Sequence, residues 1–252
     1  MEQFEELKKF FQEEKLQRIY AKVFDLNTIN AIYSLASKNW FDRVEFVVST
    51  GKEAHVFKAV DKAGNARAVK IYKIETSDFK QMSQYLKGDP RFRKVKMDKR
   101  SIVFAWTKKE FKNLEKAAKA RVPVPIPFAF KNNVLVMAFI GEKDQAAPLL
   151  KKVKLNQKEK EKVFEQIIDG TAKLIFKAGL VHSDLSEYNF LYWKGKVYFI
   201  DIGQAVLLSH PKAKQFFERD CRNIARYFTK IGLKKSFKEV YEAVKNKKKI
   251  YI

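Results

Sequence analysis

Three side chains in the second half of the sequence have the types and spacing for phosphoryl chemistry. Asp184 lies in His182-Ser-Asp-Leu-Ser-Glu-Tyr-Asn, Asn189 follows five positions later, and Asp201 closes the apolar run Val197-Tyr-Phe-Ile. Phe190-Leu-Tyr-Trp, Lys194-Gly-Lys and Val197-Tyr-Phe-Ile read as strand, tight turn and strand. A hairpin of that length returns its end to its beginning, so Asp201 is expected beside Asn189. A carboxylate and an amide with converging oxygens suit a hard cation such as Mg²⁺ that also holds phosphate oxygens. Asp184, just upstream, is placed to meet a hydroxyl or a water. Each of the three alone would read as a turn or cap residue. Their ordered combination points to phosphoryl transfer.

Such residues need a scaffold, and the composition allows one. A chain of 252 residues can build one large domain or two lobes with real cores. Hydrophobic residues at 46%, with 22 phenylalanines, say globular rather than disordered. No apolar run approaches the ~18 residues of a membrane-spanning helix, and the mixed-charge start Met1-Glu-Gln-Phe-Glu-Glu lacks a signal peptide's apolar core. Cys221 is the single cysteine, which rules out an internal disulfide and a cysteine-rich zinc site. A cytoplasmic location is expected.

The net charge of +23 has two readings. One is a surface for a polyanion, most plausibly RNA. The other is the Lys/Glu enrichment of proteins from hot habitats. Heat adaptation accounts for many charges but not for 52 basic residues against 29 acidic ones. No sequence-reading module is present, so phosphate contact is all that the charge supports.

The first half supplies strands. Residues 1 to about 24 have the spacing of amphipathic helix, and Thr28 to about Ser37 forms a second helix capped by Asn27 or Thr28. Val44-Glu-Phe-Val-Val, Val56-Phe-Lys-Ala-Val and Ala66-Arg-Ala-Val-Lys-Ile-Tyr-Lys read as three antiparallel strands. Between the first two, Ser49, Thr50, Gly51 and Lys52 offer hydroxyls and backbone N–H groups to phosphate oxygens, although one glycine also fits a plain hairpin turn. Lys70 alternates with apolar neighbours late in the third strand, so it points inward and needs a phosphate or carboxylate partner. A helix from Ile102 to about Ala120 offers Glu110, with Glu115 as the competing candidate.

Residues 75–100 read as a polar loop or short helix. Its basic run from Arg91 to Arg100 fits contact with RNA or an acidic partner and equally a solvated loop. Gly88-Asp-Pro breaks any helix there. Val122-Pro-Val-Pro-Ile-Pro must be extended, and a hairpin over Phe128–Ile140 completes a sheet of about five strands. The first flexible charged stretch, Gly141-Glu-Lys-Asp, marks the expected lobe boundary. Helices are expected at about Gln157–Lys177, from Pro211 to about Ile231, and from Ser236 to Lys248.

With these residues in place, the chain resembles the RIO family of atypical protein kinases. It is most similar to the subfamily without an N-terminal winged helix, in its archaeal form. The resemblance runs from about Asn30 to Ile231. It rests on Ser49-Thr-Gly-Lys-Glu-Ala, Ala68-Val-Lys-Ile-Tyr, Lys109-Glu-Phe-Lys-Asn-Leu, His182-Ser-Asp-Leu-Ser-Glu-Tyr-Asn and Ile200-Asp-Ile-Gly-Gln-Ala-Val. The Ser186-Glu-Tyr filling between Asp184 and Asn189 is its most specific string.

The resemblance implies an α+β, two-lobed protein-kinase-like fold, truncated relative to conventional kinases, with ATP and Mg²⁺ (or Mn²⁺) between the lobes. The implied divisions are a helical extension at 1–43, an N-lobe at 44–140 and a mainly helical C-lobe at 141–252. Carried over by residue, Lys70 contacts the α/β-phosphates and pairs with Glu110, while Ser49, Thr50, Gly51, Lys52 and Glu53 cover the triphosphate. Asp184 is the catalytic residue, and Asn189 and Asp201 bind metal. Met137 backs the adenine pocket, Phe139 and Ile140 form the hinge, and Val56, Ala68, Leu191 and Ile200 are apolar walls.

Two residues depart from the family pattern. His55 stands where asparagine is usual, and Ala138 where a hinge glutamate is usual. About fifty residues follow Asp201, without an Ala-Pro-Glu motif, so a conventional activation segment and peptide-docking helices are expected to be missing.

The implied role is an ATP-dependent serine kinase or ATPase in small-ribosomal-subunit maturation, monomeric, with autophosphorylation and pre-ribosomal RNA and ribosomal proteins as partners. Asp201 doubles there as a transient phosphate acceptor. The alternatives are a catalytically weak kinase-fold RNA-binding assembly factor and a small-molecule phosphotransferase. A positive surface suits cationic antibiotics poorly.

Overall fold

The computed structural model describes residues 24–75 and 78–251. The helix expected over residues 1–23 lies outside them. The chain divides into two compact units. The first holds the residues up to Leu86 together with Lys94–Phe111 and Ile126–Ala146, and the second holds Lys87–Arg93, Lys112–Pro125 and Ala147–Ile252.

The first unit is built on a five-stranded antiparallel sheet of β1 (Arg43–Thr50), β2 (Ala54–Val60), β3 (Ala66–Tyr72), β4 (Pro127–Lys131) and β5 (Val134–Ala138), in the order β1-β2-β3-β5-β4. Side chains alternate between the two faces of a strand, so register decides what each face carries. Phe57, Ala59, Val69, Ile71, Val134 and Val136 share one face and pack with helix α1 (Leu26–Ser37) into a single core. The pairings Val56↔Lys70, Lys70↔Leu135 and Ala68↔Met137 place Val56, Ala68, Lys70 and Met137 together on the opposite face.

One local reading is corrected. The cap of α1 is Asp25, whose carboxylate accepts from the Thr28 N–H at 2.8 Å, so the helix begins two residues before the expected start. Of the two readings given for residues 75–100, polar loop or short helix, the described residues from Asp78 onward hold the short helix. Helix α2 (Phe79–Leu86) buries Met82, Tyr85 and Leu86 at the i, i+3, i+4 spacing of one helical face, and Phe92 is buried in the one-turn helix Pro90–Phe92. Charged neighbours hid a short apolar stripe. Helix α3 (Lys99–Lys119) is longer at its start than expected and contributes to both units.

In the second unit, helix α4 (Gln157–Phe176) starts at a capping box in which Asn156 and Glu159 satisfy each other's backbone N–H. The two-residue strand β6 (Leu180–Val181) pairs with β9 (Val206–Leu207), and β7 (Phe190–Trp193) pairs with β8 (Lys196–Phe199). Helices α5 (Ala213–Lys230), α6 (Phe237–Asn246) and α7 (Lys248–Tyr251) complete it. Phe164 of α4 meets Phe228 of α5 edge to face at 5.1 Å.

The β7–β8 hairpin rests on the middle of α4. Phe199 packs edge-on against Phe190 at 4.9 Å, and its ring fills the space above Gly170. A Cβ on Gly170 would sit 2.4 Å from Phe199 Cε2. Gly170→Ala is therefore expected to lower stability by about 1–3 kcal/mol through overpacking, despite the roughly 1 kcal/mol that alanine gains as a helix former. Chemical denaturation measures this, and an unchanged or raised midpoint would mean that Phe199 moves aside at no cost.

Candidate active site

The hairpin determines where the metal-type residues fall in the second unit. Phe190 pairs with Phe199, and the Ile200 N–H donates to the Asn189 carbonyl at 3.0 Å. Asp201 thus follows directly on the residue bonded to Asn189. Asn189 Nδ2 donates to both the Asp184 carbonyl (2.6 Å) and Asp184 Oδ2 (3.0 Å). With the amide nitrogen so used, Oδ1 is the Asn189 atom left to face a cation. Asp184 is raised above the usual carboxylate range chiefly by burial, and the nearby Asp201 charge adds to this; the Asn189 hydrogen bond and the Arg219 charge oppose it.

Two residues here have left-handed backbone. Ser183 and Asp201 both have positive φ, 70° and 56°, a region that costs a non-glycine residue about 1–2 kcal/mol. Ser183 is held from both sides. Asp220 on α5 accepts from the Ser183 N–H (2.8 Å) and the Leu185 N–H (3.0 Å), while the Arg219 guanidinium donates to the Ser183 carbonyl. These bonds bracket Asp184. Burial pushes Asp220 up to about 7, against its two N–H donors and Arg219. Both of its oxygens act as acceptors, so the carboxylate is the form this geometry holds. His182 Nε2, 3.2 Å from the Ile200 carbonyl, carries the proton and donates it, tying the loop before Asp184 to the residue before Asp201.

The loop after Asp201 has its own support. Asn113 of α3 donates from Nδ2 to the carbonyls of Ile202 (2.9 Å) and Ala205 (3.0 Å). Its Oδ1 accepts from Arg91 (3.0 Å), which is itself bound by the buried Asp89. Arg91, expected to be part of a solvated or RNA-touching run, is occupied inside the protein.

In the first unit, Lys70 and Glu110 are buried and paired, with Nζ to Oε1 at 2.9 Å. Glu115 pairs instead with Lys112 at the surface. The phosphate-type loop is short, because the strands run to Thr50 and restart at Ala54. Within it the Gly51 N–H reaches the Ala54 carbonyl at 2.9 Å, and Ser49, Thr50, Gly51 and Lys52 are exposed. Phe139 and Ile140, half-buried, follow β5 directly. Leu191 and Ile200, the other expected walls, are half-buried in the second unit. His55 belongs to the other face of the sheet. It lies opposite Ile71, with Phe24 and Phe57 around its ring, so it faces away from Val56 and Lys70.

Sequence reasoning missed Asp220, Arg219, Asn113, Arg91 and Tyr72, whose hydroxyl donates to Glu110 Oε2. Tyr72 and Asn113 lay inside quoted strings, and alternation along β3 puts Tyr72 on the face of Lys70. Nothing in the sequence marks Asp220, which sits in a charged helical stretch 36 residues beyond Asp184.

A sequence profile of the RIO domain matches residues 55–241. The chain belongs to the RIO family. It is 41% identical over 241 residues to the RIO-type serine/threonine-protein kinase Rio1 of Haloferax volcanii, covering 96% of this chain and 82% of that one. Identity to the Rio1 of Thermoplasma acidophilum is 42% over 192 residues, covering 76% of this chain and all of that one. The chain is accordingly an atypical serine/threonine-protein kinase of the RIO type. Its α+β kinase-like fold resembles the crystal structure of the Rio2 kinase–ADP/Mg²⁺–phosphoaspartate complex from Chaetomium thermophilum. The TM-score is 0.65 at 20% identity, over 90% of this chain and 66% of that one.

The donor set fits a hard cation. Asn189 Oδ1 and the Asp201 carboxylate would supply oxygen donors, and among the described residues no cluster of three or more His, Cys, Asp or Glu offers a softer site. Cys221 is fully buried, and burial pushes its thiol up to about 12, so it is not a reactive thiolate in this RIO chain.

His55 gives a pH signature. Burial, helped by the Lys73 charge, holds it at about 4, below its ordinary 6.5. The unfolded chain therefore takes up this proton more readily than the folded one. The stabilisation is complete above about pH 6.5 and is lost progressively as pH falls toward 4. Unfolding free energy measured across that window is expected to drop, and His55→Asn to remove part of the slope. Equal slopes in the two proteins would exclude His55 as the source.

Proposed function

We propose that this RIO kinase binds ATP with Mg²⁺ or Mn²⁺ and transfers the γ-phosphoryl group to a serine hydroxyl or, by way of Asp201, to water. We further propose that it does so in the cytoplasm, as a monomer, during maturation of the small ribosomal subunit. The observation that carries the catalytic part is the Asn189 amide. It is anchored through nitrogen to Asp184, which leaves its oxygen for a cation, and the hairpin bonds Ile200, the residue before Asp201, to the Asn189 carbonyl.

In this reading Asn189 and Asp201 hold the metal, which neutralises charge on the phosphates. Lys70, oriented by Glu110, contacts the α/β-phosphates, and Ser49, Thr50, Gly51, Lys52 and Glu53 cover them with hydroxyls and N–H groups. The base lies against Val56, Ala68, Leu191 and Ile200, with Met137 behind it and backbone groups of Phe139 and Ile140 at its edge. A backbone-read hinge accounts for the tolerance of Ala138.

Asp184 accepts the serine proton as oxygen attacks the γ-phosphorus and the bond to the β-phosphate oxygen breaks. The raised position of Asp184 suits a base better than an ordinary surface carboxylate would. In the hydrolytic branch an Asp201 oxygen attacks the γ-phosphorus and ADP leaves. Water positioned by Asp184 then attacks the acyl phosphate, returning Asp201 as carboxylate and releasing inorganic phosphate. The phosphoaspartate named for the Chaetomium Rio2 complex is the precedent for this branch.

Asp184→Ala is expected to reduce phosphate transfer to serine by a factor on the order of 10²–10⁴, with nucleotide affinity within a few-fold of wild type. Normal turnover in that variant would sink the mechanism. After turnover with γ-³²P-ATP, an acid-stable protein label marks phosphoserine and a hydroxylamine-labile one an acyl phosphate. Absence of both would leave no phosphoenzyme branch.

The ribosomal part rests on charge. An imbalance of 52 basic to 29 acidic residues supports a polyanion partner. Binding to small-subunit ribosomal RNA is expected to weaken by orders of magnitude between about 50 and 200 mM salt, as counterion release requires. A salt-independent affinity, or none at low salt, would remove the RNA from the proposal.

A further inference from the structure

We propose that Tyr72, the last residue of β3, and Lys73, which follows it, are positioning residues for the phosphate side of the nucleotide. Tyr72 acts through Glu110, and Lys73 acts through the loop at Gly51. The proposal rests on the roles given above to Lys70, Glu110 and that loop. Everything it uses lies within the first unit.

Glu110 is almost fully buried, at 1% exposure. A buried carboxylate is tolerable only if both oxygens find donors, since one ion-pair contact does not offset its desolvation. Lys70 Nζ serves Oε1 at 2.9 Å, and the Tyr72 hydroxyl serves Oε2. The two donors fix the plane and rotamer of the carboxylate. The Lys70 ammonium also lies 4.8 Å from the centroid of the Tyr72 ring, within cation–π range. Tyr72 thus touches both members of the pair. Alternation along β3 makes this contact inevitable, because residues 70 and 72 share a face. An ammonium has three N–H donors and the carboxylate takes one, so a carboxylate held still aims the ammonium.

Lys73 acts on the covering loop. Its backbone N–H donates to the Glu53 carbonyl at 2.8 Å, and its Nζ donates to the Gly51 carbonyl, also at 2.8 Å. With the Gly51 N–H already on the Ala54 carbonyl, residues 51–54 are bound from inside the turn and from β3. A loop ordered before the nucleotide arrives loses less conformational entropy when it closes on phosphates. One dipeptide thus orders both phosphate-contacting groups of the unit.

The test compares Tyr72→Phe, Glu110→Gln and their double variant, together with Lys73→Met and Lys70→Met, in the full chain. Readouts are KM and kcat for ATP and, by calorimetry, the affinities for ATP and for adenosine. Tyr72→Phe is expected to weaken ATP roughly tenfold, the scale of a hydrogen bond to a charged group, with adenosine affinity unchanged. In the Glu110→Gln background the same change should cost less than about twofold, because the two side chains act as one unit.

Lys73→Met, at a half-buried position, should raise KM for ATP several-fold, again sparing adenosine. A general loss of packing would instead weaken ATP and adenosine alike and lower the melting temperature. If Tyr72→Phe does not fold, Lys73→Met decides the loop half, and Glu110→Gln compared with Lys70→Met decides the pair. Wild-type ATP affinity in both Tyr72→Phe and Lys73→Met, or an undiminished Tyr72 effect in the Glu110→Gln background, overturns the proposal. Should Lys70→Met itself leave ATP affinity intact, the reading of Lys70 falls, and this inference with it. Loss in Lys70→Met alone overturns only the inference.

Discussion

The second unit depends on one buried carboxylate that touches no substrate. Asp220 gives its two oxygens to the N–H groups of Ser183 and Leu185, the residues on either side of Asp184. A left-handed backbone at Ser183 costs about 1–2 kcal/mol and leaves peptide groups that no regular element satisfies. The carboxylate repays both, since hydrogen bonds to a charged group are worth roughly 1.5–3 kcal/mol each. Asp220 is carried by α5, so that helix supplies the acceptor on both sides of Asp184.

Glu110 solves the same problem in the first unit. There, too, a carboxylate at about 1% exposure is tolerated because each oxygen has its own donor, Lys70 on one side and the Tyr72 hydroxyl on the other. One pair of bonds holds backbone and the other holds a lysine. In both cases a side chain of the proposed site is held by a neighbour that is itself immobilised. Helix α3 extends this economy, for Asn113 lies three residues past Glu110 and secures the Ile202 and Ala205 carbonyls of the loop after Asp201.

These arrangements separate what the sequence could disclose from what it could not. The hairpin that brings Asp201 to Asn189 was legible because both strands and their turn are local, and period-two alternation fixed their facing. Lys70 was legible for the same reason, as a lysine in an apolar strand needs a buried partner. The sheet and most helices followed from periodicity. Asp220, Arg219 and the link from Arg91 to Asn113 were not legible, because their partners are backbone groups or residues more than 20 positions away. A charged residue on a helix looks the same whether it faces water or a distant peptide N–H. The cap at Asp25 failed differently, since its signal is local but Asn27 and Thr28 offered the same one.

Asp201 shows how far geometry constrains chemistry. Its left-handed φ of 56° falls where the paired hairpin ends and a one-turn helix, Ile202–Gln204, begins. The chain reverses within a single residue there. The reversal leaves Asp201 exposed while Ile202 and Gly203 are buried, so the carboxylate projects from a rigid base. Either role proposed for Asp201, metal ligand or phosphate acceptor, would use a carboxylate whose direction is fixed in this way. The bonds from Asn113 to the carbonyls of Ile202 and Ala205 are what allow that left-handed φ to persist.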